Sequence, residues 1–319
     1  MSLTRRVVLV VLLAALLAGG LVYFHYSQDI ERARAAVTKD AHIVQTSAGP
    51  IQYGERGAGT PLLSIHGAGG GYDQGLANAV DFVGSGFRII APSRFGYLGT
   101  PVPADPSAEA QADAHAALLD ALGLDEAVVV GISAGARSAI ASALHHPERV
   151  SALILIVPAS FEPSDPVAIE ESRGSKLAFW LVNAGADFAW WALETVAPSV
   201  LIRFIGVPPE VVGAASKAEQ ERVQRIVRSI QPLSKRVRGI NLDSIPDGFP
   251  PLLERITAPT IVVSAQDDLF NTLPAARLAA SRIPNARLKV FETGGHLLVG
   301  HQQDVRDLVG EFVDVAGIR

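Results

Sequence analysis

The chain has 319 residues, 49% hydrophobic and 18% charged, which is ample apolar material for a buried core and excludes global disorder. Its net charge of −5 leaves no basic surplus for a nucleic-acid backbone, so nucleic acid is not an expected partner. The lack of any cysteine excludes disulfides, thiolate metal sites and a cysteine nucleophile together, and any nucleophile here is oxygen or nitrogen.

From the N-terminus, Arg5 and Arg6 precede an uncharged apolar run, Val7–Phe24. As a helix rising about 1.5 Å per residue, that run nearly crosses a hydrocarbon core of ~30 Å. Tyr23, Phe24 and Tyr26 at its far end suit an interfacial aromatic belt, and the two arginines predict a cytoplasmic N-terminus with the rest of the chain outside the cytoplasm. A cleaved signal peptide is the competing reading, although small residues at A-x-A spacing occur only at Ala33 to Ala35, well past the run. A buried core helix is the third. Residues 1–40 are therefore expected to be a transmembrane anchor with a short charged, alanine-rich stalk over 27–40.

Beyond residue 41, apolar runs of strand length alternate with helical stretches. The expected strands are Pro61–Ile65, Phe87–Ala91, Ala127–Gly131, Leu153–Val157, Thr260–Val263 and Leu288–Phe291. Helices such as Ala108–Leu122, stopped by Gly123, and Ala134–His146, stopped by Pro147, lie between them. Such alternation predicts an α/β fold, a mostly parallel sheet flanked by helices, with ligands at the carboxyl ends of its strands. From about Phe161 to Ala258 no strand pattern appears. That stretch holds Trp180, Trp190 and Trp191 with apolar residues at helical spacing, and is expected to be a helical insertion.

Three strand ends carry chemistry. Ser64-Ile65-His66-Gly67-Ala68-Gly69-Gly70-Gly71 is a loop whose glycines let backbone amides approach a ligand closely, as an oxyanion in acyl transfer requires. A turn that simply needs positive φ, or a phosphate cradle, would also use glycines, but no Lys follows as G-x-x-x-x-G-K-[ST] demands. Gly131-Ile132-Ser133-Ala134-Gly135 places Ser133 between a buried strand and a helix, where a nucleophile on a sharp turn needs neighbours without bulk. A helix N-cap serine is the plainer alternative. The paired amides for the oxyanion are then Ala68, with Gly69 behind it, and Ala134. Near the C-terminus, Asp267 and Asp268 follow one strand and Gly294-Gly295-His296 follows another. An imidazole, which titrates near neutrality, takes a serine proton if a carboxylate fixes its tautomer. The order Ser133, Asp268, His296 is that of the α/β-hydrolase triad.

On these residues the chain resembles the α/β-hydrolase fold superfamily from about residue 42 to the end. The resemblance implies a core over 41–160 and 259–319 and a helical cap over 161–258 that roofs the site. In such sequences the acid is usually the last residue of a G-x-x-D pattern. That pattern selects Asp268, with Ala265 where glycine is usual; Asp267 is the runner-up and Asp165 a distant third. The cap tryptophans line an apolar pocket, pack the cap's own small core or face the membrane. Arg94, where relatives carry an Asp-x-x-Gly turn, is expected to be a structural anchor. His145 and His146 suit a helix C-terminus, His301 lacks the glycine turn of His296, and no H-E-x-x-H or similar cluster marks a metal. No cofactor is expected.

The implied function is hydrolysis of an ester or related acyl bond through an acyl-enzyme on Ser133, acting on a small, apolar molecule. Serine at the elbow argues against epoxide and haloalkane hydrolysis, which resemble a design with aspartate there. Carbon–carbon bond hydrolysis and cofactor-free peroxidase chemistry use the same triad and stay open. A membrane-anchored ligand-binding protein without turnover is the alternative from another class. The substrate is not legible.

Overall fold

The computed structural model describes residues 2–160, 186–245 and 252–318. Strands β1 (Ala41–Thr46) and β2 (Gly49–Gly57) form an antiparallel hairpin, and β2 pairs antiparallel with β4 (Phe87–Pro92). The rest of the sheet is parallel: β3 (Thr60–Ile65), β5 (Ala127–Ile132), β6 (Val150–Ile156), β7 (Thr260–Ala265) and β8 (Arg287–Phe291), in the order β1-β2-β4-β3-β5-β6-β7-β8. All six expected strands are present within a few residues of their predicted ends. The hairpin was not among them, because β1 is a largely exposed edge strand and β2 is broken up by glycines and a proline.

Helix α1 (Leu3–Ala36) is long and apolar enough to cross a membrane, with mean hydropathy 2.8 over its most apolar window and none of that window buried. The core helices before the insertion are α2 (Tyr72–Phe82), α3 (Ala108–Ala121) and α4 (Ala136–His145). Between β6 and β7 every regular element among the described residues is helical, the longer ones being α5 (Asp187–Val196), α6 (Pro198–Phe204), α7 (Pro209–Ala214), α8 (Lys217–Ser229) and α9 (Val237–Asp243). Trp190 is fully buried among Leu201, Val223 and Val227 in the core of this cap, whereas Trp180 lies outside the described residues. Two helices close the chain, α10 (Leu273–Arg282) and α11 (Gln302–Val315).

Strand periodicity decides the layering. Leu63, Ile90, Val129 and Leu155 face α3, α4 and α10, while their neighbours Leu62, Ile89, Val128 and Ile154 face α2 and α11. Each fully buried branched side chain contributes about 1.5–3 kcal/mol, which holds the helices against both faces of the sheet.

One buried polar group links packing to pH. His115 on α3 donates from Nδ1 to Ser142 Oγ of α4 at 3.3 Å, because that hydroxyl is itself committed to the Ser138 carbonyl at 2.8 Å; its Nε2 has no partner among the described residues. Burial first, then the charges of Arg94 and His146, pull its pKa from 6.5 down to about 3. The unfolded chain binds a proton below 6.5 that the native state refuses, so this histidine makes stability fall as pH drops from 6.5 towards 3. His115→Gln is expected to flatten that part of the acid limb when urea midpoints are followed against pH; an identical slope in the variant would refute the assignment.

Candidate active site

Ser133 directly follows β5 and opens a single 3-10 turn, Ser133–Gly135, that leads into α4. Its φ of +51° lies in the left-handed region, a conformation that costs a non-glycine residue about 1–3 kcal/mol. It is therefore not a helix N-cap; Gly135 holds that position for α4. The flanking glycines are needed for close approach: a Cβ on Gly131 would lie 2.5 Å from Ala139 Cβ, and one on Gly135 would lie 2.5 Å from the His66 carbonyl oxygen.

The structure brings the three predicted side chains together. His296 Nε2 is 2.8 Å from Ser133 Oγ, and His296 Nδ1 is 2.8 Å from Asp268 Oδ2. These distances assign the Nδ1–H tautomer, with Nε2 accepting from the serine hydroxyl. Asp268 also accepts from Thr272 Oγ1 at 2.5 Å and from the Phe270 amide at 2.9 Å. Burial opposes its charge, but the His296 imidazole and these two donors outweigh burial and hold the carboxyl below its ordinary value. Phe270 stacks edge-on against the imidazole at 4.6 Å.

The neighbouring carboxylate has a different task. Asp267 accepts from the amides of Gly294 at 3.2 Å and Gly295 at 2.8 Å, which fastens the loop that carries His296. Asp165 lies outside the described residues. His301 is at the start of α11, paired with Asp304 at 3.0 Å, and His146 pairs with Asp113 at 2.7 Å.

The glycine-rich loop runs beside Ser133, since a Cβ on Gly67 would lie 3.6 Å from Ser133 Oγ. Gly67 donates its amide to Gln74 Oε1 at 3.1 Å, Gly69 to Tyr97 Oη at 3.3 Å and Gly70 to the Gly67 carbonyl at 3.3 Å. Of these four consecutive amides, only that of Ala68 has no acceptor among the described residues. Ala134, directly after Ser133, lies in the turn that leads into α4.

Two buried arginines tie this loop to the cap, and neither pair is visible in the sequence. Arg94 donates its own amide to His66 Nε2 at 3.0 Å and Nε to the His66 carbonyl at 3.0 Å, and it grips Asp243 of α9 with both terminal nitrogens at 2.7 and 2.6 Å. Burial works against its charge, but Asp243 and Tyr97 more than offset this and raise its pKa. His66 is pushed the other way: burial, then the charge of Arg94, lower its pKa well below 6.5 and keep it neutral. From the cap side, fully buried Arg236 donates to the Gly70 carbonyl at 2.5 Å and pairs with Asp73 at 2.7 Å.

A further residue lacked any sequence signal beyond its type. The carbonyl of Gly206, between α6 and α7, accepts from the amide of His296 at 3.0 Å and from that of Leu269 at 3.1 Å. It thus joins the loop of the imidazole to the loop of the carboxylate.

A profile of the family described as alpha/beta hydrolase fold matches residues 60–300. Among curated relatives, the chain is 28% identical over 253 residues to a 2-hydroxy-6-oxo-6-phenylhexa-2,4-dienoate hydrolase of Burkholderia cepacia, covering 77% of this chain and 84% of the relative. It is 28% identical over 268 residues to a 2-hydroxymuconate semialdehyde hydrolase of Pseudomonas putida, covering 81% and 89%. Among solved structures, an alpha/beta hydrolase fold protein from Nakamurella multipartita superposes with TM-score 0.68 at 29% identity, over 87% of this chain and 99% of that one.

Gly206 has φ +84°, and an added Cβ would lie 2.6 Å from His296 Cβ and 2.7 Å from Phe270 Cδ2. Gly206→Ala is therefore expected to displace the His296 loop, with a stability loss of about 1–3 kcal/mol. The low-field proton resonance of the Nδ1–H···Oδ2 bond reports on this directly; an unshifted resonance in the variant would contradict the bridging role.

Proposed function

The chain belongs to the alpha/beta hydrolase fold family and is a hydrolase, and from that premise we propose that it cleaves an ester or related acyl bond through a covalent acyl-enzyme on Ser133. The observation that carries this reading is His296 standing 2.8 Å from both the Ser133 hydroxyl and the Asp268 carboxylate. Ser133 Oγ attacks the carbonyl carbon while Nε2 takes its proton. Asp268, kept ionised, stabilises the resulting imidazolium. The amides of Ala68 and Ala134 receive the oxyanion, where fixed dipoles act without reorganising. As the tetrahedral species collapses, the imidazolium returns the proton to the leaving oxygen. Water then repeats the sequence on the acyl-enzyme and frees the acid.

Carbon–carbon bond hydrolysis beside a ketone on the same triad is the second reading, and the names of the curated relatives favour it. A dienoate brings a carboxylate, which calls for a cation in the site. Arg94 and Arg236, the buried guanidiniums that border the glycine-rich loop, are already paired with Asp243 and Asp73. Among the described residues, these two guanidiniums are thus already matched by carboxylates, which fits a neutral acyl substrate. We also propose that α1 anchors the protein in a membrane, with Arg5 and Arg6 on the cytoplasmic side and the hydrolase core on the other.

Ser133→Ala is expected to abolish both fluorophosphonate labelling and hydrolysis of an aryl ester while leaving the fold intact. Asp268→Asn is expected to lower kcat by about 10³–10⁴-fold, because the imidazole loses its oriented tautomer. Retained turnover in Ser133→Ala would rule the mechanism out. Faster cleavage of a 2-hydroxy-6-oxo-dienoate than of any neutral ester would favour the second reading.

A further inference from the structure

The stalk end of α1 is docked on the cap. Tyr26 meets Phe188 and Trp191 of α5 edge-on, at 5.1 and 5.7 Å between ring centroids. Trp191 Nε1 donates to Asp29 Oδ2 at 2.9 Å, Arg34 lies 3.8 Å from Asp187, and Ile30 is buried. Where the helix ends, the carbonyls of Ala36 and Lys39 accept from Tyr72 Oη at 3.3 and 2.6 Å. Tyr72 directly follows the loop Gly67–Gly71 at the carboxyl end of β3. Helix α1 thus leaves the folded body from the sheet edge that carries Ser133, and runs along the cap.

Helix geometry sets the level at which cap and apolar run meet. The run ends at Phe24, and Tyr26 is about 3 Å further along the axis. Phe188 therefore lies within a turn of the point where the apolar run stops, and it is 47% exposed; Tyr23 and Phe24, at the end of that run, are exposed as well. Aromatic side chains with one apolar and one polar surrounding are what the headgroup zone of a bilayer favours. A second copy of the chain would cover one stripe of α1. The exposed apolar residues from Val7 to Phe24 ring the whole circumference, which only a hydrocarbon phase covers.

We infer that α5 and the first stalk turn form one surface that rests on a phospholipid bilayer and turns the cap and the catalytic edge towards it, so that the substrate is an acyl compound drawn from the lipid phase. This deepens the acyl-transfer reading of Ser133 and rests on it. The membrane helix is then an orienting element as well as an anchor, because Tyr26, Asp29 and Arg34 fix its angle to the cap.

The full chain reconstituted in phosphatidylcholine vesicles tests this in two ways. With bromine on the lipid acyl chains near the glycerol, the fluorescence that Trp191→Phe removes is expected to be quenched relative to plain vesicles; equal emission in the two would overturn the inference. Phe188→Glu is expected to reduce turnover of a long-chain ester dissolved in the vesicles about tenfold, the loss of one buried aromatic contact, and to leave a water-soluble aryl ester within about twofold. Equal loss on both substrates, or none on either, would overturn it, as would a halved oligomer mass in Phe188→Glu with wild-type quenching absent. A wild-type chain silent on the aryl ester refutes the acyl-transfer reading, whereas one active on it yet indifferent to Phe188→Glu in vesicles refutes this surface alone.

Discussion

An imidazole on an irregular loop relays a proton only while that loop is held still, and here the holding is done by hydrogen bonds to backbone groups. Asp267 takes the amides of Gly294 and Gly295, and the Gly206 carbonyl takes that of His296 itself. On the far side, Arg222 of α8 donates to the Leu297 carbonyl at 2.9 Å and Glu219 accepts from the Gly300 amide at 2.9 Å. Three of these holds come from the cap. The inserted helices are therefore part of the frame that sets the distance from Ser133 to His296, and not only a roof over it.

The core was legible because its strands are dense in β-branched residues, as in Ala127–Ile132 and Val150–Ile156, and because glycines punctuate the two turns that present Ser133 and His296. Less could be read where chemistry is shared. Asp267 and Asp268 are adjacent carboxylates, and only the direction of the backbone sends one to glycine amides and the other to Nδ1. The hairpin β1–β2 escaped for want of alternation. Gly206 escaped because what matters there is a carbonyl, which every residue possesses. The arginine pairs escaped because Arg94 and Asp243 are 149 residues apart and Arg236 and Asp73 163, a separation that no local pattern spans.

Charge placement around the site follows one scheme. His66 and His115 are kept neutral by burial, and Arg94 reinforces both by its own field. The positive charges that burial would otherwise forbid are each matched by a carboxylate across the boundary between core and cap. The glycine-rich loop therefore lies beside positive charges that are already matched by carboxylates.

The two arginine pairs that join core to cap also bear on how far the two parts can move against each other. A cap swinging away as a unit would separate Arg94 from Asp243 and Arg236 from Asp73 at once. Each separated pair gives up charge-assisted hydrogen bonds worth about 1.5–3 kcal/mol apiece. Opening the cap as a unit is therefore costlier than moving any single side chain, and the two struts favour a latched arrangement of core and cap.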